Sequence, residues 1–107
     1  KWDQFLSRKF AEFLTRMRET PSNADGSKSL LDQTTILYGC SNSTTHNNRN
    51  YPLVLAGGKG LGFKHGNYQR FEESVPLSNL HLTMLKKLGI TADKFADSNA
   101  LVPEVLA

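Results

Sequence analysis

The sequence has a single cysteine, no long apolar run and no cluster of basic residues. These features argue against an internal disulfide, a membrane-spanning helix and a nucleic-acid partner. Cys40 cannot form an internal disulfide, so cysteine content leaves the redox compartment open. The longest apolar run falls far short of the roughly 20 residues of a membrane-spanning helix, and no signal-peptide pattern is present. The 13 lysines and arginines are dispersed rather than interleaved with aromatic residues, so we expect no nucleic-acid partner.

The chain has 107 residues and begins with Lys1 rather than methionine, directly inside a helical pattern. This length is enough for one compact domain. The first residue nevertheless indicates a processed or truncated product. For such a product, the missing signal peptide carries no information about the location of the parent protein.

Apolar periodicity predicts four elements. The predicted helices are amphipathic. The predicted strands, TTILYG and LVLAG, are continuously apolar, which is typical of parallel strands covered on both faces. Ser78 is the predicted N-cap of the second helix, and the glycine-rich run 57–66 matches no phosphate-binding motif and is interpreted as a turn. The predicted elements are helix 2–18, strand 34–39, strand 53–57 and helix 77–89.

These elements are too few for a complete domain. A stable sheet generally needs three or more strands or a covering layer, and both helices have broad apolar faces with little to pack against. We therefore expect residues 1–107 to be one segment of a larger α/β domain. The remainder of the parent chain or another subunit would supply the missing strands. The alternative, an independent small domain, would leave exposed strand edges.

The loop 40–52, CSNSTTHNNRNYP, is the first candidate site, because ligands in open α/β sheets bind beyond the carboxyl ends of strands. His46 is its candidate metal ligand or acid–base group. His65 follows the second strand and would reach the same edge, although it also fits an exposed turn. His81 is interpreted as a packing residue of the second helix, and Cys40 as a small, semi-buried residue rather than a nucleophile.

Several segments together resemble the C-terminal part of the HXXSHH family of bacterial proteins. They are LLDQTTILYGCSN, TTHNNRNYPLVLAGG, GFKHG, PLSNLHLTMLKKLGI and DKFADS. The most specific portion is the spacing from His46 through Asn50 and Pro52 to the glycines that follow Ala56. The resemblance covers essentially the whole chain.

This resemblance implies a distant relationship to the alkaline-phosphatase and sulfatase superfamily, whose enzymes hydrolyse phosphate or sulfate esters at divalent metals. It implies an exported, periplasmic or secreted parent protein with zinc or calcium as the metal. By position, Ser41 and Asn42 fall where an acidic ligand pair would begin and His46 falls at a later histidine, so His46 and Asn42 are the candidate metal ligands. Ser41, His65 and Arg49 are the candidate contacts of substrate or another anion.

The sequence departs from that superfamily in one respect. No aspartate or glutamate occurs from Thr34 to Phe71, and Asn42 offers a neutral carbonyl where a carboxylate is expected. A divalent metal pair normally needs anionic ligands to offset its charge. Two hypotheses therefore stay open: part of a metal-dependent hydrolase, or a non-catalytic binding or structural protein that kept the fold and lost the metal site.

Overall fold

The computed structural model describes residues 1–107 and confirms the α/β class, with mixed helices and a small sheet. Each predicted helix and strand is present, with ends that differ from the prediction by at most two residues. Short 3-10 turns lie before β1, after β2 and near the C-terminus. The elements are α1 (Trp2–Glu19), β1 (Thr35–Gly39), β2 (Leu53–Gly57) and α2 (Ser78–Lys87).

The sheet has two strands, and they are antiparallel, so the expectation of parallel strands is wrong. Tyr38 pairs with Val54 and Leu37 pairs with Leu55. A parallel pair needs a crossover, usually a helix, whereas residues 40–52 form no helix and simply return the chain as a long hairpin loop. No residue of either strand is fully buried, so the expected cover on both faces is wrong for residues 1–107. Continuous apolar character also carries no information about strand direction.

Helix α1 contacts the sheet at β1. The ring of Phe10 stacks on Tyr38 with 4.1 Å between centroids and 11° between planes. Phe10, Leu14 and Met17 are half-buried on this side of the helix. An adjacent stripe of α1 stays exposed, and it consists of Trp2, Phe5, Leu6 and Phe13.

The buried core lies along α2 and the segments around Phe63 and Val102, and Phe63 lies against Gly58 at the end of β2. Its apolar members are Phe63, Leu82 and Val102, each at most 5% exposed. The C-terminal segment pairs with residues 62–64, because Lys64 donates its backbone N–H to Val105 and Ala107 donates to Gly62. The irregular tail is therefore part of the core.

Helix α2 begins one residue earlier than an N-cap at Ser78 would require. Leu77 occupies the N-cap position, and no side chain caps the helix, so the prediction that Ser78 is the N-cap is wrong. Ser78 lies inside the first turn, where its hydroxyl donates a hydrogen bond to the Asp97 carboxylate at 2.6 Å. The Ser78 hydroxyl therefore binds Asp97 of the C-terminal tail and does not cap the helix.

The molecule exposes much more surface than a folded protein of its mass. Its accessible area is 7926 Å², against about 5,900 Å² for a compact monomer of 11.9 kDa. The radius of gyration is 15.2 Å, compared with about 13 Å for a compact domain of this length. Only 8 of 107 residues are buried. Neither helix is long and apolar enough to cross a membrane.

Candidate functional site

The loop that joins β1 to β2 contains a tight turn with His46 at its tip. The backbone N–H of Asn47 donates to the carbonyl of Thr44 at 2.8 Å, and the N–H of Ser43 donates to the carbonyl of Asn47 at 2.8 Å. The two central residues, Thr45 and His46, both have positive φ angles, 41° and 62°. Positive φ at both central positions is characteristic of the mirror-image turns of β-hairpins.

This turn places unfavourable backbone angles on residues that are not glycine. Asn50, in the same loop, also has a positive φ of 52°. Left-handed angles are uncommon for residues other than glycine, and for a β-branched residue such as Thr45 they are true outliers. Such angles cost of order 1–3 kcal/mol each and cluster at binding and catalytic sites. Three of them within six residues make this loop the candidate functional site.

The base of the loop borders an open depression beside the sheet. The depression has a volume of about 540 Å³. Its lining includes the polar residues Ser41 and Tyr51, the thiol of Cys40, and the apolar side chains of Leu37 and Leu77. Cys40 is exposed, so the expectation of a semi-buried thiol is wrong. The chain leaves the sheet at Gly39, which carries Cys40 beyond the cover of the neighbouring elements.

The other predicted site residues of this loop are exposed and lightly tethered. Asn42 and His46 are exposed, and no side-chain hydrogen bond holds either of them. Arg49 forms an ion pair with Glu73, with 3.6 Å between Nη1 and Oε2, and both side chains are more than two-thirds exposed. Exposed pairs of this kind contribute little free energy. The guanidinium of Arg49 is thus available to an anionic ligand at small cost.

His65 does not lie at the same edge of the sheet, so that expectation is wrong. Its Nε2 lies 2.6 Å from the carbonyl oxygen of Gly57, the last residue of β2. Because the strands are antiparallel, Gly57 lies beside Thr35 at the start of β1, whereas the loop with His46 follows the end of β1. The length of β1, about 13 Å, separates the two ends.

The histidine of α2 has the packing role expected for it. His81 is half-buried, and its ring meets Phe95 edge-to-face with centroids 5.6 Å apart. It lies on α2, away from the loop. The imidazole available at the candidate site is therefore that of His46.

The residues of this chain do not make up a metal site by themselves. No group of three or more histidine, cysteine, aspartate or glutamate side chains lies close enough together to hold a metal ion. His46 and Asn42 offer one imidazole and one neutral amide, and no carboxylate occurs between Thr34 and Phe71. Any metal at this loop would need carboxylate ligands from outside these residues.

A second, wholly polar depression lies near the start of β1, at the opposite end from the loop, and the sequence motifs did not indicate it. Its lining residues include Lys28, Lys59 and Asp32. The backbone N–H of Ser29 donates to the Asp32 carboxylate at 3.0 Å, and its hydroxyl donates at 2.9 Å. These two hydrogen bonds, together with the charge of Lys59, hold the pKa of Asp32 below its usual range. The Asp32 carboxylate already accepts two hydrogen bonds from Ser29. We therefore interpret this depression as part of the turn and not as a ligand site.

Sequence reasoning missed Tyr51 and Glu73, which lie beside the predicted site residues. Tyr51 lines the depression next to Ser41, and Glu73 holds Arg49. Tyr51 directly precedes β2 and Pro52, so its position was readable, but its direction depended on the strand pairing. Comparisons with protein-family models, with curated proteins and with solved structures find no match.

Proposed function

We propose that residues 1–107 are the C-terminal part of a larger α/β protein, and that the loop 40–52 is an anion-contacting rim of its ligand site. The observation that carries this proposal is the tight turn with positive φ angles at Thr45 and His46, because strained backbone of this kind is retained mainly where a site requires it. The turn presents His46 away from the sheet, and Arg49 follows in the same loop.

The chemistry of the loop favours an anion over a bare cation as its ligand. Ser41 and His46 offer hydrogen-bond donors, and Arg49 offers a positive charge on a planar group that matches phosphate and sulfate oxygens. The loop contains no acidic residue. Phosphate or sulfate esters are the substrates implied by the resemblance to the HXXSHH family and its distant superfamily.

Within this proposal the parent protein is an exported hydrolase of the alkaline-phosphatase or sulfatase type. The nucleophile and the carboxylate ligands for zinc or calcium belong to the part of the protein outside these residues. The chain itself supplies Ser41, His46 and Arg49, which bind and orient the ester.

Ester hydrolysis and metal content of the full-length protein test the hydrolase proposal. We expect turnover of 4-nitrophenyl phosphate or 4-nitrophenyl sulfate and at least one tightly held zinc or calcium ion. His46→Ala should lower kcat/KM on the order of 100-fold, which is typical for loss of one transition-state contact. Asn48→Ala, an exposed residue of the same loop, is the matched control and should leave kcat/KM unchanged. Equal activity of the two variants would contradict the role of His46.

The absence of carboxylates favours a second candidate, a non-catalytic protein that binds an anionic ligand at the same loop. It predicts no turnover and no bound metal, together with measurable binding of inorganic phosphate or sulfate. Arg49→Ala should then weaken binding about 10-fold, as expected for loss of a charge-assisted hydrogen bond. Calorimetric titration of phosphate into the wild-type protein and into Arg49→Ala measures the two affinities. Equal affinities would reject the non-catalytic binding protein.

A further inference from the structure

The segment that leads into α2 lies beside the loop 40–52 and forms a second side of the candidate site. Leu77, which directly precedes α2, lines the same depression as Ser41. Earlier in the same segment, Glu73 forms the ion pair with Arg49 of the loop. Two separate observations therefore place this segment, and its carboxylate, next to the proposed anion contacts.

Glu73 lies at the centre of a short turn and presents its carboxylate to solvent. The backbone N–H of Val75 donates to the carbonyl of Glu72 at 3.0 Å, which closes the turn around Glu73 and Ser74. The Glu73 side chain is 83% exposed, and its Oε2 lies 3.6 Å from Nη1 of Arg49. This distance is too long for a hydrogen bond. The attraction between the two side chains is therefore one of charge alone.

Arg49 is held at its backbone, whereas its guanidinium is free to bind a ligand. It is the only lysine, arginine, aspartate or glutamate of the loop 40–52. Its backbone N–H donates to Oδ1 of Asn47 at 3.1 Å, so the turn fixes the point from which the side chain extends. A guanidinium carries several N–H donors in a planar fork. Glu73 offsets the charge of this group and leaves its donors unfilled.

We propose that Glu73 takes the place of the anionic ligand beside Arg49 and is displaced when that ligand binds. Glu73 then sets the affinity of the site for anions. A phosphate or sulfate group forms short, charge-assisted hydrogen bonds with a guanidinium, which the carboxylate at 3.6 Å does not. The displaced carboxylate stays in water, so its release costs little. This inference rests on the proposed anion-contacting role of the loop 40–52.

The alternative role of Glu73, to hold Arg49 in position for the ligand, fits the geometry poorly. A carboxylate that positions a guanidinium typically accepts parallel hydrogen bonds at about 2.7–2.9 Å. The approach of 3.6 Å between two exposed side chains leaves the guanidinium free to turn. The two roles predict opposite effects when the negative charge is removed. Loss of a competitor tightens anion binding, whereas loss of a support weakens it.

Calorimetric titration of inorganic phosphate into the full-length protein separates these roles. Glu73→Gln should tighten phosphate binding about 3-fold, because exposed ion pairs change an equilibrium by up to about 5-fold. Glu72→Gln is the matched control, since it removes the same charge from the neighbouring exposed residue. It should change the affinity by less than about 1.5-fold at physiological ionic strength, because salt screens a charge that does not face the ligand. Equal affinities of the two variants, or weaker binding by Glu73→Gln, would overturn the proposal.

A double-mutant cycle with Arg49→Ala tests whether Glu73 acts through the guanidinium. In the Arg49→Ala background, Glu73→Gln should leave the phosphate affinity unchanged, because the group for which both anions compete is absent. An undiminished effect in that background would overturn the displacement of Glu73. Equal phosphate affinities of the wild-type protein and Arg49→Ala would instead reject the anion-contacting rim itself, and this inference with it.

Discussion

Asn79 holds the C-terminal tail against α2, and its replacement by alanine is the sharpest test of the fold. The side chain is 3% exposed. Its Nδ2 donates to Asn99 Oδ1 at 3.0 Å, and its Oδ1 accepts from the backbone N–H groups of Asn99 at 2.9 Å and Ala100 at 3.3 Å. One amide thus satisfies three polar groups of a tail that has no regular backbone pairing at this point.

The cost of Asn79→Ala follows from the groups it leaves behind. Two backbone N–H groups and one side-chain carbonyl lose their partners, and an unsatisfied buried group costs about 1–3 kcal/mol. Asn99 and Ala100 are themselves exposed, so water replaces part of what is lost and the lower end of that range applies. We expect a loss of about 2–4 kcal/mol in the free energy of unfolding, a large share of the roughly 5–15 kcal/mol that stabilises a typical domain.

Urea unfolding of the full-length protein, followed by circular dichroism, measures this loss. Asn48→Ala is the matched control, since Asn48 lies in an exposed loop and such substitutions stay within about 0.5 kcal/mol. Thr83→Val is a second variant, because the Thr83 hydroxyl accepts a hydrogen bond from the N–H of Val102 at 2.9 Å. If Asn79→Ala and Thr83→Val both unfold at the midpoint of the control, the polar network does not hold the tail.

Three further substitutions test the turns before β1 and after β2. Gly57→Ala places a Cβ against the carbonyl oxygen of Thr34 at a φ of 73°, so it should cost at least about 2 kcal/mol in urea unfolding. Gly26→Ala has φ 71° with open space around it and should cost less; equal costs would contradict the steric argument. The hydrogen bonds from Ser29 lower the pKa of Asp32 in the folded state, so the unfolded state binds more protons and this stabilisation is lost as pH falls below about 4. Asp32→Asn should therefore unfold with a weaker acid dependence, and superimposable acid profiles would refute this.

Local patterns predicted the helices and strands well because the physical causes of these elements are local. Helix α1 forms as its apolar spacing predicts, although about half of its apolar side chains stay exposed. The run that ends at Gly39 forms a strand, although only β2 pairs with it. The start of α2 was misplaced for a reason outside the helix. Ser78 has the residue type of an N-cap, but Asp97, nineteen residues later, takes up its hydroxyl.

The candidate site was less predictable, because its geometry depends on strand direction. Both histidines that follow a strand were placed at one edge on the assumption of parallel pairing. Because the strands are antiparallel, His46 lies beyond the end of β1, whereas His65 lies at the opposite end of the sheet, beside the carbonyl of Gly57. The positive φ angles at Thr45 and His46 had no sequence signal at all, since neither residue is a glycine.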